Sequence, residues 1–321
     1  MGVLVGCAGF AGGMERYFRT FSVVEIQSTF YKLPMVRTIE RWRRLAPSGF
    51  EFTVKCSQIV THPATSPTYR RAGIPIAPEE RDEYGLFRPT DKVFDAWERT
   101  RRRCEILRAK VCLLQCPASF RATDENIRNM SDFLSSVDRG GMTIVWEPRG
   151  RDWTEGVIRR LCERLHLSHV VDPFAREPAY VDDLIYYRLH GKPPGESMYR
   201  HQYDNGELLK LADKVKDAVE ADLGLYLIFN NLSMFEDAAR FKGYFEEGRF
   251  PSTLPSKKED IEGILKGTRY PADLASLISR FGWRLIEWRG KQIRLRELLR
   301  RTGQRSFKDA NDVLQELERA G

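Results

Sequence analysis

The chain lacks any apolar run near the length of about 18 residues that a membrane-crossing helix needs, so no span is expected. It has no basic-then-apolar leader either, and starts straight into the strand-like Val3-Leu4-Val5-Gly6-Cys7, which points to the cytoplasm. Histidine is scarce, with five in 321 residues, and none stand in HExxH spacing, which argues against a zinc hydrolase of that kind. The six cysteines are irregularly spaced and several fall inside strands, so they read as reduced thiols and not as a disulfide framework. No dinucleotide-type glycine fingerprint occurs, because Gly6 and Gly9 have the wrong spacing and no acidic residue follows in place.

What is present is a repeating alternation of strand and helix. A hydrophobic content of 42% permits a substantial core. Strand candidates are Val3–Cys7, Val23 to about Tyr31, Phe50–Lys55, Val111–Gln115, Met142–Glu147, His169–Asp172, Leu184–Leu189 and Leu225–Phe229. Helical stretches lie between them, among them Thr38–Leu45, Lys92–Arg108, Glu125–Ser136, Thr154–Leu165, Glu207–Ala221 and Met234–Phe245. Eight strand-helix units in about 250 residues fit a (β/α)8 TIM-like barrel, with an open doubly wound sheet as the alternative. The expected division is a barrel over 1–247, a Pro/Gly/Ser-containing linker over 248–260, and a small basic helical domain over 261–321. Two long loops, from about Ser57 to Pro89 and from Lys192 to Gly206, are candidate lids.

Barrels of this kind carry their sites at the C-terminal strand ends. Those ends hold Glu25, Gln27 and Thr29, then Lys55, Gln115, Glu147 with Arg149, Asp172, Arg188 with His190, and Asn230 with Asn231. A carboxylate in a buried strand needs a partner, so Glu25 is expected to face Lys55 or Arg188. Asp172 before Pro173 also suits a turn, and a lone histidine such as His190 is often a plain hydrogen-bonding residue. Oxygen and imidazole donors at Glu147, Asp172 and His190 suit Mg²⁺ or Mn²⁺. Cys7, Cys56 and Cys116 near strand ends, with Cys112 four residues before Cys116, leave a soft-metal site open, although buried thiols are the default. Arg149, Arg188 and Lys55 suit an anionic ligand, with Tyr31 available for stacking.

Charge is uneven. The net value is +7, and Pro271–Ala310 alone carries ten Lys/Arg against four Asp/Glu. A basic C-terminal region of this kind suits nucleic acid as a partner.

A run of motifs resembles the DUF72 (YecE-like) family: Gly6-Cys7-Ala8-Gly9-Phe10, Val24-Glu25-Ile26-Gln27-Ser28-Thr29-Phe30-Tyr31-Lys32-Leu33-Pro34, Phe52-Thr53-Val54-Lys55, Leu113-Leu114-Gln115-Cys116-Pro117, Glu147-Pro148-Arg149 and Tyr187-Arg188-Leu189-His190-Gly191. The resemblance covers residues 1 to about 245 and implies a (β/α)8 barrel similar to those of endonuclease IV and xylose-isomerase-like proteins. It implies nucleic-acid or sugar-phosphate substrates by analogy only. Cys7 and Phe10 depart from the Thr/Ser and Trp usual in that family, and the multi-histidine metal set of endonuclease IV is missing. Tyr270-Pro271-Ala272-Asp273 with Ser306-Phe307-Lys308-Asp309-Ala310-Asn311-Asp312-Val313 is similar to the small helical DUF2795 domain.

The expectation drawn from these features is a metal-assisted hydrolase of a phosphodiester or nucleic acid. Glu25, Glu147, Asp172 and His190 would be catalytic, and Thr29, Tyr31, Lys55, Gln115, Arg149, Arg188, Asn230 and Asn231 would bind substrate. The alternatives are a non-catalytic nucleic-acid-binding adaptor and a sugar-phosphate isomerase or lyase that uses Lys55.

Overall fold

The computed structural model describes residues 2–192, 196–220 and 223–320. These fall into two compact units, Met1–Leu189 with Asp213–Phe229, and His190–Ala212 with Asn230–Gly321.

The first unit is built on eight parallel strands: β1 (Val3–Cys7), β2 (Val23–Ile26), β3 (Glu51–Lys55), β4 (Val111–Gln115), β5 (Thr143–Glu147), β6 (Leu167–His169), β7 (Leu184–Leu189) and β8 (Gly224–Phe229). Their order is β6-β5-β4-β3-β2-β1-β8-β7, and a bridge from Val171 to Tyr187 nearly closes the circle. This is the expected TIM-like (β/α)8 fold. Most strand residues are buried on both faces, which explains why these stretches read as continuous β-branched and aromatic runs without alternation. Threonine hydroxyls at Thr90, Thr123 and Thr154 cap the three helices that precede β4, β5 and β6, each accepting an amide hydrogen bond in the first turn.

Two local features fix the barrel around β1 and β2. A Cβ at Gly6 would stand 2.2 Å from the Val23 carbonyl oxygen, so only glycine lets the strands approach this closely. The Tyr17 hydroxyl then spans them, accepting from the Cys7 amide at 2.7 Å and donating to the Val23 carbonyl at 2.8 Å.

Boundaries differ from the sequence reading at instructive places. β2 ends at Ile26, and residues Ser28–Tyr31 form a helical turn, so Thr29 does not continue the inward face of the strand. β6 runs over Leu167–His169, earlier than expected, and Asp172 lies beyond it. The loop after β3 is folded: it holds the helices Gln58–Thr61 and Pro67–Arg71 and a 3₁₀ turn over Pro78–Glu83. Amide bonds from Gly85 to Ile59 and from Phe87 to Val60, at 2.8 and 2.9 Å, pin it down. In the second loop, residues 193–195 lie outside the described residues, as does Ala221 at the end of its helix.

The second unit gathers Met234–Glu247 with the helices Lys258–Leu265, Leu274–Phe281, Leu295–Arg301 and Ala310–Ala320. Ile261, Leu277, Leu295, Leu298, Leu299, Val313 and Leu317 form its buried centre, matching the helical apolar spacing of the sequence. Four short strands were not anticipated: β9 (Ala272–Asp273), β10 (Leu285–Trp288), β11 (Lys291–Arg294) and β12 (Ser306–Phe307). The β10–β11 hairpin turns on Arg289 and Gly290, both at positive φ, the geometry of a two-residue turn with matching twist. The helix from Lys258 starts inside the expected linker, because Asp260 accepts the amides of Ser256 and Lys257 and caps it.

Candidate functional site

The strand ends of the barrel unit converge on an ion lattice with Arg188 at its centre. Arg188 on β7 and Glu25 on β2 are fully buried. The guanidinium grips Glu25 bidentately, Nε to Oε2 at 3.0 Å and Nη2 to Oε1 at 2.8 Å. Its Nη1 reaches Glu147 Oε2 and, at 3.4 Å, Gln115 Oε1. Arg149 Nε takes the other Glu147 oxygen at 3.0 Å. Tyr186 donates to Glu25 Oε2 at 2.8 Å and lies 2.7 Å from the Thr53 hydroxyl, while Gln27 donates to Glu25 Oε1. Glu25 thus pairs with Arg188 and not with Lys55. Burial alone would pull the guanidinium pKa down, but Glu25 and Glu147 outweigh it and hold Arg188 protonated.

Lys55 stands apart from this pairing. It closes β3, is 6% exposed, and its ammonium nitrogen lies 3.9 Å from the centre of the Phe30 ring. Among the described residues no hydrogen bond or ion pair engages Lys55 Nζ. The Thr29 hydroxyl fixes its backbone instead, donating to the Lys55 carbonyl at 2.7 Å and to Ile26 at 2.9 Å. Burial, with the Arg188 charge added, pushes the Lys55 pKa down to about 7, and Glu147 and Glu25 only partly counter this.

His62 joins the group from the folded loop. Its ring packs edge-on against Phe30 at 4.7 Å, and its Nδ1 pairs with the Thr61 hydroxyl at 2.8 Å. Burial, then the charges of Lys55 and Arg149, lower its pKa to about 3, so it is a neutral imidazole at ordinary pH. His62 lies in the long loop after β3, away from the strand ends at which the sequence reading placed its candidates. Tyr186 and Thr53 were missed as site residues, although their period-two spacing from Arg188 and Lys55 places them one layer deeper in the same barrel.

The other expected residues make contacts of their own. Asp172 Oδ1 accepts the Phe174 amide at 2.9 Å, the turn geometry that was its alternative reading. His190 and Asn231 belong to the second unit. There His190 packs against Tyr199, and Asn231 donates to the His201 carbonyl, Ser233 and Asp237. Asn230, half-buried, is in that unit too, and Tyr31 is exposed. The proposed metal set of Glu147, Asp172 and His190 does not assemble: among the described residues no three His, Cys, Asp or Glu side chains gather. The donor chemistry also disfavours Mg²⁺ or Mn²⁺ here, since both oxygens of Glu25 and of Glu147 already serve cations or donors and Arg188 would repel a second cation.

Residues 8–258 match the family described as "Protein of unknown function DUF72". The chain belongs to the DUF72 family. A curated relative, UPF0759 protein YunF of Bacillus subtilis (strain 168), is 22% identical over 247 residues, covering 68% of this chain and 80% of that protein. Among solved structures, the DUF72 family protein TM1631 of Thermotoga maritima MSB8 superposes with a TM-score of 0.58 at 23% identity, covering 77% of this chain and all of that one. The DUF72 family protein EF0366 of Enterococcus faecalis V583 gives 0.58 at 20% identity, with 77% and 96% covered. These likenesses establish the barrel. The ion lattice described above is read from this chain alone.

Proposed function

We propose that the DUF72 barrel is a Schiff-base lyase or isomerase acting on a small anionic carbonyl compound of the sugar-phosphate type, with Lys55 as nucleophile. One observation carries this reading: a buried lysine at a barrel strand end that has no carboxylate partner among the described residues. A lysine of pKa about 7 is about half free amine at neutral pH, whereas an unperturbed one is about one part in 2,500, a gain of about a thousandfold in nucleophile.

The amine nitrogen of Lys55 attacks the carbonyl carbon, the oxygen takes up a proton, and loss of water leaves the iminium. That cation draws electrons from a neighbouring C–C or C–H bond, which is the step shared by lyases and isomerases of this type. Arg149, a third exposed, supplies positive charge toward an anionic substituent. Neutral His62, whose Nε2 has no hydrogen bond among the described residues, is assigned a hydrogen bond to the carbinolamine oxygen. The Arg188 lattice acts as scaffold: it fixes the strand ends and keeps positive charge near Lys55, which favours the free amine.

The hydrolase expectation draws less support from this geometry. A general base needs a free lone pair facing the water it activates; Glu25 accepts from Arg188 twice, from Tyr186 and from Gln27, and Glu147 is held between the guanidinium charges of Arg188 and Arg149, which lowers its basicity.

The test is borohydride trapping. The protein is mixed with dihydroxyacetone phosphate, glyceraldehyde 3-phosphate or pyruvate, reduced, and read by intact mass and peptide mapping. A covalent adduct on Lys55, absent in Lys55→Met, is expected. Adducts that persist in Lys55→Met, or none with any probe, refute the assignment. A parallel screen with nucleic acids and Mg²⁺ or Mn²⁺ keeps the rival in view: metal-dependent cleavage lost in Glu147→Ala would favour the hydrolase.

A further inference from the structure

The C-terminal unit carries a charge excess that its own fold does not neutralise. From Lys266 to Lys308 there are twelve Lys/Arg and three Asp/Glu. Folding concentrates part of this at the crossing of the helices Leu274–Phe281 and Leu295–Arg301. Gly282 makes the crossing possible: a Cβ there would meet the Ile278 carbonyl oxygen at 2.5 Å and Arg296 Cβ at 2.8 Å. The Arg296 amide donates to the Gly282 carbonyl at 3.1 Å, locking the two helices together.

The consequence is a set of arginines around two aromatic side chains, Trp283 and Phe281. The Arg284 guanidinium lies over the half-buried Trp283 ring, 5.2 Å from its centre, and the Trp283 indole N–H is spent on the Arg280 carbonyl at 2.9 Å. Arg280 covers Phe281 at 5.0 Å. Arg296, beside Gly282, and Arg300, one helical turn further on, are exposed. None of Arg280, Arg284, Arg296 and Arg300 forms an ion pair among the described residues, and Arg284 Nε is buried with no hydrogen-bond partner. A groove of about 820 Å³ runs along Arg280, Phe281, Trp283 and Arg284. Glu259 and Asp260 line its other side, where Asp260 accepts the amides of Ser256 and Lys257.

We propose that this surface binds single-stranded nucleic acid, with the arginines on the phosphates and Trp283 stacked on a base. Unpaired like charges held together by a helix crossing are electrostatically unfavourable until a polyanion neutralises them. An indole whose N–H is already satisfied and which carries Arg284 over one face has the other for a base, and stacking on a face is tolerant of sequence. Single strands are favoured over duplex because only unpaired bases can reach a ring recessed beside a groove. This inference stands independently of the Lys55 chemistry.

The test is fluorescence anisotropy on the full chain with labelled oligo(dT) and oligo(U) of about 20 nucleotides, over a range of salt. Triple substitution Arg280→Ala/Arg284→Ala/Arg296→Ala is expected to weaken binding at least about tenfold and to reduce the slope of log K against log salt by about 2. Trp283→Leu is expected to weaken binding by about tenfold with the salt slope unchanged, and Trp283→Phe to restore most of it. Circular dichroism of each variant separates loss of binding from loss of fold. Unchanged affinity in the folded triple variant overturns the proposal. So does equal affinity for duplex DNA or heparin with no response to Trp283→Leu, which would mark a general polyanion surface.

Discussion

Lys55 makes a quantitative demand on stability. Its pKa is about 7 in the folded chain, against about 10.4 for an exposed lysine in an unfolded one. Below pH 7 both forms are protonated, and the folded state bears the full cost of a buried ammonium. Between pH about 7 and 10.4 the unfolded chain binds a proton that the folded chain does not, so stability rises with pH. The slope is about 1.4 kcal/mol per pH unit, summing to about 4 to 5 kcal/mol over the window. Lys55→Met removes this titration and keeps the apolar stem. The difference in unfolding free energy, wild type minus variant, is therefore expected to rise across pH 7 to about 9.5 by about 3 kcal/mol, with the variant the more stable form near pH 6. Urea unfolding of both proteins in matched buffers measures it, and the subtraction cancels every group that titrates alike in the two. A difference that stays flat within about 0.5 kcal/mol would show that the amine remains protonated, and the nucleophile argument would fall with it.

Three further outcomes follow from the same lattice. Arg188→Met strands Glu25 and Glu147 without their buried counter-charge and is expected to destabilise by about 3 to 5 kcal/mol in urea unfolding, with recovery when Glu25→Gln and Glu147→Gln are added; no recovery would mean that packing and not charge is responsible. His62, held to a pKa of about 3 by burial and by Lys55 and Arg149, should show no imidazole titration by NMR between pH about 5 and 8, and a midpoint near 6.5 would place it outside the charged cluster. Gly85→Ala should cost more than about 1 kcal/mol and disturb the His62 loop, since a Cβ there would lie 1.9 Å from the His62 carbonyl oxygen and φ is +74°; an unchanged urea midpoint would refute that constraint.

Much of the architecture was legible in the sequence because its signal is local. Strands buried on both faces must be apolar throughout, and Pro117 and Pro148 follow β4 and β5 closely, so the eight-unit alternation shows without tertiary information. The four short strands of the C-terminal unit were not legible, since pieces of two to four residues carry too little periodicity. Thr29 was misplaced because a strand and a helical turn both put residues near the same end of a barrel.

The sequence by itself determined that charged side chains stand at the strand ends, because the fold exposes those ends and the residue types are plain to read. Which charges meet was decided only by tertiary structure. Arg188 reaches both Glu25 and Glu147 across the barrel, which leaves Lys55 beside Phe30 without a carboxylate partner among the described residues. The same holds for His62, brought to that ring by a loop that the sequence left undefined. Pairing across a barrel joins residues 41 and 163 positions apart, and the energy that selects one pairing over another comes from burial and distance, neither of which is written in local sequence.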